Sequence, residues 1–162
     1  MNDIKQSTLI VLNKTKFLLS ILNDELLSNS TIPPYKSSIG SHIRHILDFY
    51  HCILNTNSES EIDLTLRRRD LLVETKCISA IGYYMEIVNE LEKSNFDFDD
   101  YVFVVDDLGV GKIKIKYTFG ALLAQAYSHT IHHYAIINYI LDGLKISIDD
   151  PDFGYNPTTP KK

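Results

Sequence analysis

Cysteine is scarce in this chain: Cys52 and Cys77 are its only two, far apart and in no C-x-x-C pair. Each falls in a helical pattern, where a thiol behaves as a small hydrophobe, so a disulfide framework is excluded and a reducing compartment is expected. Surplus positive charge is also lacking. Sixteen Lys and Arg stand against 21 Asp and Glu, a formal net charge of −5. The one basic run, Arg67-Arg68-Arg69, is offset by Glu59, Glu61, Asp63 and Asp70. Such a balance leaves no footprint for a phosphate backbone, and no nucleic-acid binding is expected. No long hydrophobic run is present either. The clusters at 9–12 and 17–19 are interrupted by Asn13, Lys14 and Lys16, and no small-residue cleavage site follows. Neither a signal peptide nor a membrane span is expected, which makes the cytoplasm the predicted location. No internal repeat is evident, and 162 residues with 44% hydrophobic content suit one domain spanning 1–162.

What is present is helical periodicity. Ile4, Val11, Leu18, Leu22 and Leu26 mark one face of a first helix over about 3–27, which the Ser/Asn run and Pro33-Pro34 terminate. Ser37 or Ser38 is a candidate N-cap for a second helix over 39–54, with Ile39, Ile43, Ile46, Phe49, Tyr50 and Ile53 inward. A polar turn over 55–60 and a charged stretch over 61–69, loop or single helical turn, lead to a third helix over 70–93. Its predicted inward residues are Leu71, Ile78, Ile81, Met85, Val88 and Leu91, with Gly82 as a weak point. The period then changes. Residues 101–105 are β-branched and aromatic, 106–111 form a Gly/Asp turn, and 112–116 alternate Lys with Ile, which predicts a hairpin with a solvated Lys face. A last helix over 118–142, ended by Gly143, and a tail of turn composition complete the chain. The architecture these segments predict is all-α, a four-helix bundle with a small β-hairpin before its last helix.

Inside that last helix the apolar stripe of Phe119, Leu122, Ala126, Ile136, Ile137 and Ile140 continues through His129 and His133. Residues four apart share a helix face, so both rings can converge on one ion. Helix two offers a third histidine, His42 or His45. At about 100° per residue His42 falls inside the apolar stripe and His45 on its flank, which favours His42 as the inward ring. Three neutral imidazoles with one coordination position open are the pattern of a catalytic metal site. The plainer alternative is a set of core histidines bonded to Tyr hydroxyls, to Ser128 or to one another. His51 and His132 read as surface or supporting residues. Tyr83, Tyr84, Tyr127 and Tyr134 are candidates for pocket walls or for plain core, and the Arg67–Asp70 run for an anion-binding Arg or for a solvated helix start.

Four stretches together resemble the DinB-like (DinB/YfiT-like) superfamily. They are 38–48 (SIGSHIRHILD), 67–70 (RRRD), 128–135 (SHTIHHYA) and 153–160 (FGYNPTTP). The resemblance spans nearly the whole chain in order. It implies an up-down-down-up four-helix bundle and a divalent metal ion, nickel or zinc, on three histidines. By position these are His45, which Asp48 follows, with His129 and His133; His42 then becomes a neighbour acting as a supporting residue or general base. Characterised members suggest a small-molecule reaction in which a low-molecular-weight thiol such as bacillithiol or mycothiol is joined to an electrophile. Pairing of two copies through helix faces is a further implication. Metal-assisted hydrolysis and a non-catalytic binding or dimerisation module stay open beside thiol transfer.

Overall fold

The computed structural model describes residues 3–56 and 60–160, so part of the polar turn expected over 55–60 lies outside the described residues. Six helices and three strands follow in the order α1 (Asp3–Ile21), α2 (Asp24–Ser28), α3 (Ile39–Leu54), β1 (Glu61–Asp63), α4 (Leu71–Thr75), α5 (Cys77–Lys93), β2 (Tyr101–Asp107), β3 (Lys112–Thr118) and α6 (Phe119–Gly143). The fold is therefore mixed α/β and not the expected all-α four-helix bundle with an appended hairpin. The difference lies in residues 61–64. Glu61-Ile62-Asp63-Leu64 alternates polar with apolar, and Ile62 and Leu64 are buried against the core. That period of two suits a strand, and β1 pairs parallel to β2 with Ile62 opposite Val104. The sheet runs β1-β2-β3, with β2 and β3 antiparallel and Val104 opposite Ile115.

One sheet face carries Val102, Val104 and Ile62 into the core. The other is solvated, as the alternating lysines predict. Lys112 pairs with Asp63 and Lys114 with Glu61, while the Lys116 ammonium lies 3.6 Å from the centre of the Tyr101 ring.

Two expected long helices are each broken. Asn23 accepts from the Leu26 amide and starts α2, so the first helix ends at Ile21. Lys76, extended at φ −129° and ψ 115°, separates α4 from α5. Asp24 supplies the missing cap from outside: its carboxylate accepts from the Cys77 amide at 2.8 Å and from Lys76 Nζ at 3.1 Å. These bonds, the Cys77 amide foremost, hold its carboxyl below the usual range.

The phase of α5 also differs from expectation. Of the residues expected inward, Leu91 is buried and Ile81 and Val88 pack partly buried against the core, but Ile78, Met85 and, on α4, Leu71 are exposed, while Ala80, Tyr83, Tyr84 and Ile87 are buried as well. Gly82 has open space where a side chain would be. Packing requires a glycine at Gly40, because a Cβ there would sit 2.0 Å from the Glu74 carbonyl oxygen of α4.

Helix α3 is central. It packs on α4, α5 and α6 and touches β1, while α1 closes the far side against α5 and α6. Among the described residues no helix is long and apolar enough to cross a membrane.

Candidate metal centre

Ser38 starts α3 as its N-cap, its hydroxyl accepting from the Ser41 amide at 3.0 Å. That start puts His42 and His45 one turn apart where α3 meets α6, and Asp48 a further turn on, facing Tyr83 of α5. Thr118 caps α6 by accepting from the Ala121 amide, and His129 and His133 then face α3 one turn apart. The buried middle of α6 is Thr130, Ile131 and Tyr134, and the two histidines are half-buried on its α3 flank.

His45, His129 and His133 come together with one nitrogen each inside a 4.8 Å span, which is compatible with a metal site. The His45 and His129 Nε2 atoms are 2.8 Å apart, and those of His129 and His133 are 3.2 Å apart. An ion with nitrogen ligands at about 2.0 to 2.1 Å places neighbouring ligand nitrogens about 3.0 to 3.4 Å apart, so small ring adjustments suffice. Phe49 stacks on His129 at 5.0 Å between ring centres, which helps to fix that ring's plane.

The rings are held neutral. Burial first, then the Arg67 guanidinium and neighbouring rings, lower His45 to about 3. Burial and then His45 and the other rings lower His133 to about 2. His42 and His129 are lowered as well, by burial and then by His132. Neutral imidazole is the form that can ligate a metal. Cys52 offers no competing thiolate, because burial pushes its thiol up to about 11.

Both α3 histidines reach the cluster, in different places. The His42 Nδ1 lies 2.8 Å from the His133 Nδ1, and its Nε2 lies 2.8 Å from the Ser37 hydroxyl. His45 sits on the other flank, where the Arg67 Nη1 donates to its Nδ1 at 3.1 Å. Asp48, fully buried, does not bond to His45. It accepts from Arg44 at 3.1 Å, from the Tyr83 hydroxyl at 3.0 Å and from the Arg69 amide at 3.2 Å. Arg44 also reaches Glu74 at 2.9 Å.

The tyrosines are elsewhere. Tyr84 donates to Asn13, and buried Tyr134 bonds with Thr15 and the Val11 carbonyl. Tyr127 lines a cleft of about 930 Å³ between α1, α6 and the C-terminal tail. Because two residues turn a helix by about 200°, that cleft is on the face of α6 opposite the histidines. His132 is exposed, and His51 lies near Tyr83, away from the cluster.

Ser37, Phe49 and the bond from Arg67 to His45 are the parts of the site that sequence reasoning missed. The position of Phe49, one turn beyond His45, was the available signal for the second of these. Nothing in the spacing announces the other two, which depend on how the chain before α3 and the loop before α4 fold back. Compared with protein-family models, with curated proteins and with solved structures, the chain matches none.

Proposed function

We propose that the chain is a metal-dependent enzyme in which His45, His129 and His133 hold one divalent ion, nickel or zinc, and leave part of its coordination to a substrate. The observation that carries this reading is the convergence of three neutral imidazoles from two helices. Imidazole suits both metals, and three protein ligands are the number found at open, catalytic sites. Such an ion, when bound, lowers the pKa of a thiol or a water and so makes a nucleophile available at neutral pH.

The protein's own contribution is orientation and proton placement. His42 is a positioning residue in this scheme. Its Nδ1 takes the hydrogen bond from the His133 Nδ1–H, and its Nε2–H goes to the Ser37 hydroxyl, which keeps the His133 Nε2 lone pair on the cluster. The resemblance to DinB-like proteins supports transfer of a low-molecular-weight thiol to an electrophile as the reaction. A second reading, a hydrogen-bonded histidine cluster in a non-catalytic module, is favoured by the short contacts that the rings make with one another.

Metal content by mass spectrometry on untagged protein, beside a His129→Ala/His133→Ala variant, separates these readings. Near one-to-one divalent metal in the wild type and its loss in the variant are expected. Little metal in either, with added nickel and zinc also failing to bind, would end the metal reading. Turnover of esters or amides with no thiol present would replace transfer by hydrolysis.

A further inference from the structure

We infer that Arg67 is a latch on the metal site, holding His45 in the tautomer that cannot ligate and so restraining metal binding until the guanidinium swings away. This rests on the reading of His45, His129 and His133 as metal ligands.

A guanidinium has donors only, so the Nδ1 of His45 must accept the bond from the Arg67 Nη1. A neutral imidazole carries one N–H, which then sits on Nε2 and points at the His129 Nε2, 2.8 Å away. Arg67, His45 and His129 thus form one continuous donor–acceptor chain. Ligation through the His45 Nε2 needs a lone pair at that atom and moves the proton to Nδ1. There it would face the Arg67 N–H, donor against donor. The Arg67 bond and ligation by His45 therefore exclude each other.

The opposite flank has no such conflict. On that side Ser37, His42 and His133 can each both donate and accept, so the proton that the His133 Nε2 shares with the His129 Nε2 can be handed back along the chain and the lone pair freed for a metal.

Arg67 is also placed to move. Arg44 is tied to Asp48 and Glu74, and Arg68 to Glu86 by two bonds. Among the described residues, the hydrogen bonds of Arg67 are one to the Leu64 carbonyl, through Nε at 3.0 Å, and the one to His45. The Leu64 bond can pivot while the ring contact breaks.

The test combines zinc affinity by competition titration with histidine side-chain NMR that reads which ring nitrogen carries the proton. The proteins are the wild type, Arg67→Met, Arg68→Met and the double alanine variant of His129 and His133. In the wild type, the His45 proton is expected on Nε2 without zinc and on Nδ1 with it. Arg67→Met is expected to bind zinc about tenfold or more tightly, because a hydrogen bond from a charged donor is worth at least that factor. Arg68→Met, which removes a neighbouring cation held by Glu86, is expected to leave the affinity unchanged.

A His45 proton already on Nδ1 in zinc-free wild type would overturn the latch, and this result needs no variant to fold. So would zinc binding by Arg67→Met no tighter than by the wild type, where that binding is lost in the double alanine variant; the metal reading would then survive alone. No zinc binding by any of the proteins would remove both.

Discussion

The two flanks of the histidine cluster are built from different materials. On the His133 flank the support is neutral and light: an imidazole and a hydroxyl, His42 and Ser37, in a chain of 2.8 Å contacts. On the His45 flank it is charged, with Arg67 on the ring and Arg44, Asp48 and Glu74 behind it. A neutral relay can reverse its protons at little cost, whereas a guanidinium has only one sense. On the reading proposed above, the two flanks would do different work: one would orient a metal ligand, and the other would resist its use.

The sharpest way to break the contrast is Asp48→Ala. It leaves Arg44, the Tyr83 hydroxyl and the Arg69 amide without their shared buried acceptor. Removing one partner of a buried ion pair costs about 3 to 5 kcal/mol, so urea unfolding is expected to show a loss of that size. Ser37→Ala on the other flank is expected to cost about 1 kcal/mol, that of a single hydrogen bond. Equal losses from the two variants would dissolve the distinction.

His42→Ala comes next in size. Residues that orient a metal-ligating histidine are worth about 10- to 100-fold in metal affinity, and a drop in that range is expected in a zinc titration with the fold intact by circular dichroism. An unchanged affinity would mean that the His133 flank orients nothing.

The smallest effect to begin with is in mild acid, and it grows as the pH falls further. The folded pKa values of His45 and His133, about 3 and about 2, lie below the ordinary 6.5. Between those limits the unfolded chain takes up protons that the folded protein refuses. Stability is therefore highest above pH 6.5 with respect to these groups and falls as pH drops below it. Urea midpoints measured down that range should decline less steeply in His133→Gln than in the wild type. Parallel profiles would show that the ring is not held neutral by its burial.

Much of the candidate site was legible because it depends on short-range spacing. The bounds of α3, its Ser38 cap and the one-turn separation of His129 from His133 follow from local pattern. The choice between His42 and His45 did not, because a stripe fixes a helix's rotation only to within tens of degrees and both rings lie at its edge.

The fold was less legible where distant residues decide. No local signal says that Asp24 will cap α5 from more than fifty positions away. The inward face of α5 was caught only in part, at buried Leu91 and the partly buried Ile81 and Val88, because the predicted stripe followed the most hydrophobic residues, exposed Ile78 and Met85 among them. The fully buried stripe runs Ala80, Tyr83, Tyr84, Ile87 and Leu91, at helical spacing, and the first three of these five do not stand out as hydrophobic. Strand β1 was hidden in the same way, its alternation masked by Glu61 and Asp63.

That three-residue strand also works as a ruler. It fixes Ile62 against Val104, and the chain runs from there through Leu64, whose amide bonds to the Val105 carbonyl, to Arg67. A slip of one residue along β2 would turn Ile62 outward and shift everything downstream by about 3.3 Å, enough to carry the guanidinium off the His45 ring. The distance from sheet to histidine is counted in residues, so inserting or deleting a single one between Asp63 and Arg67 would mistune the centre while leaving every histidine in place.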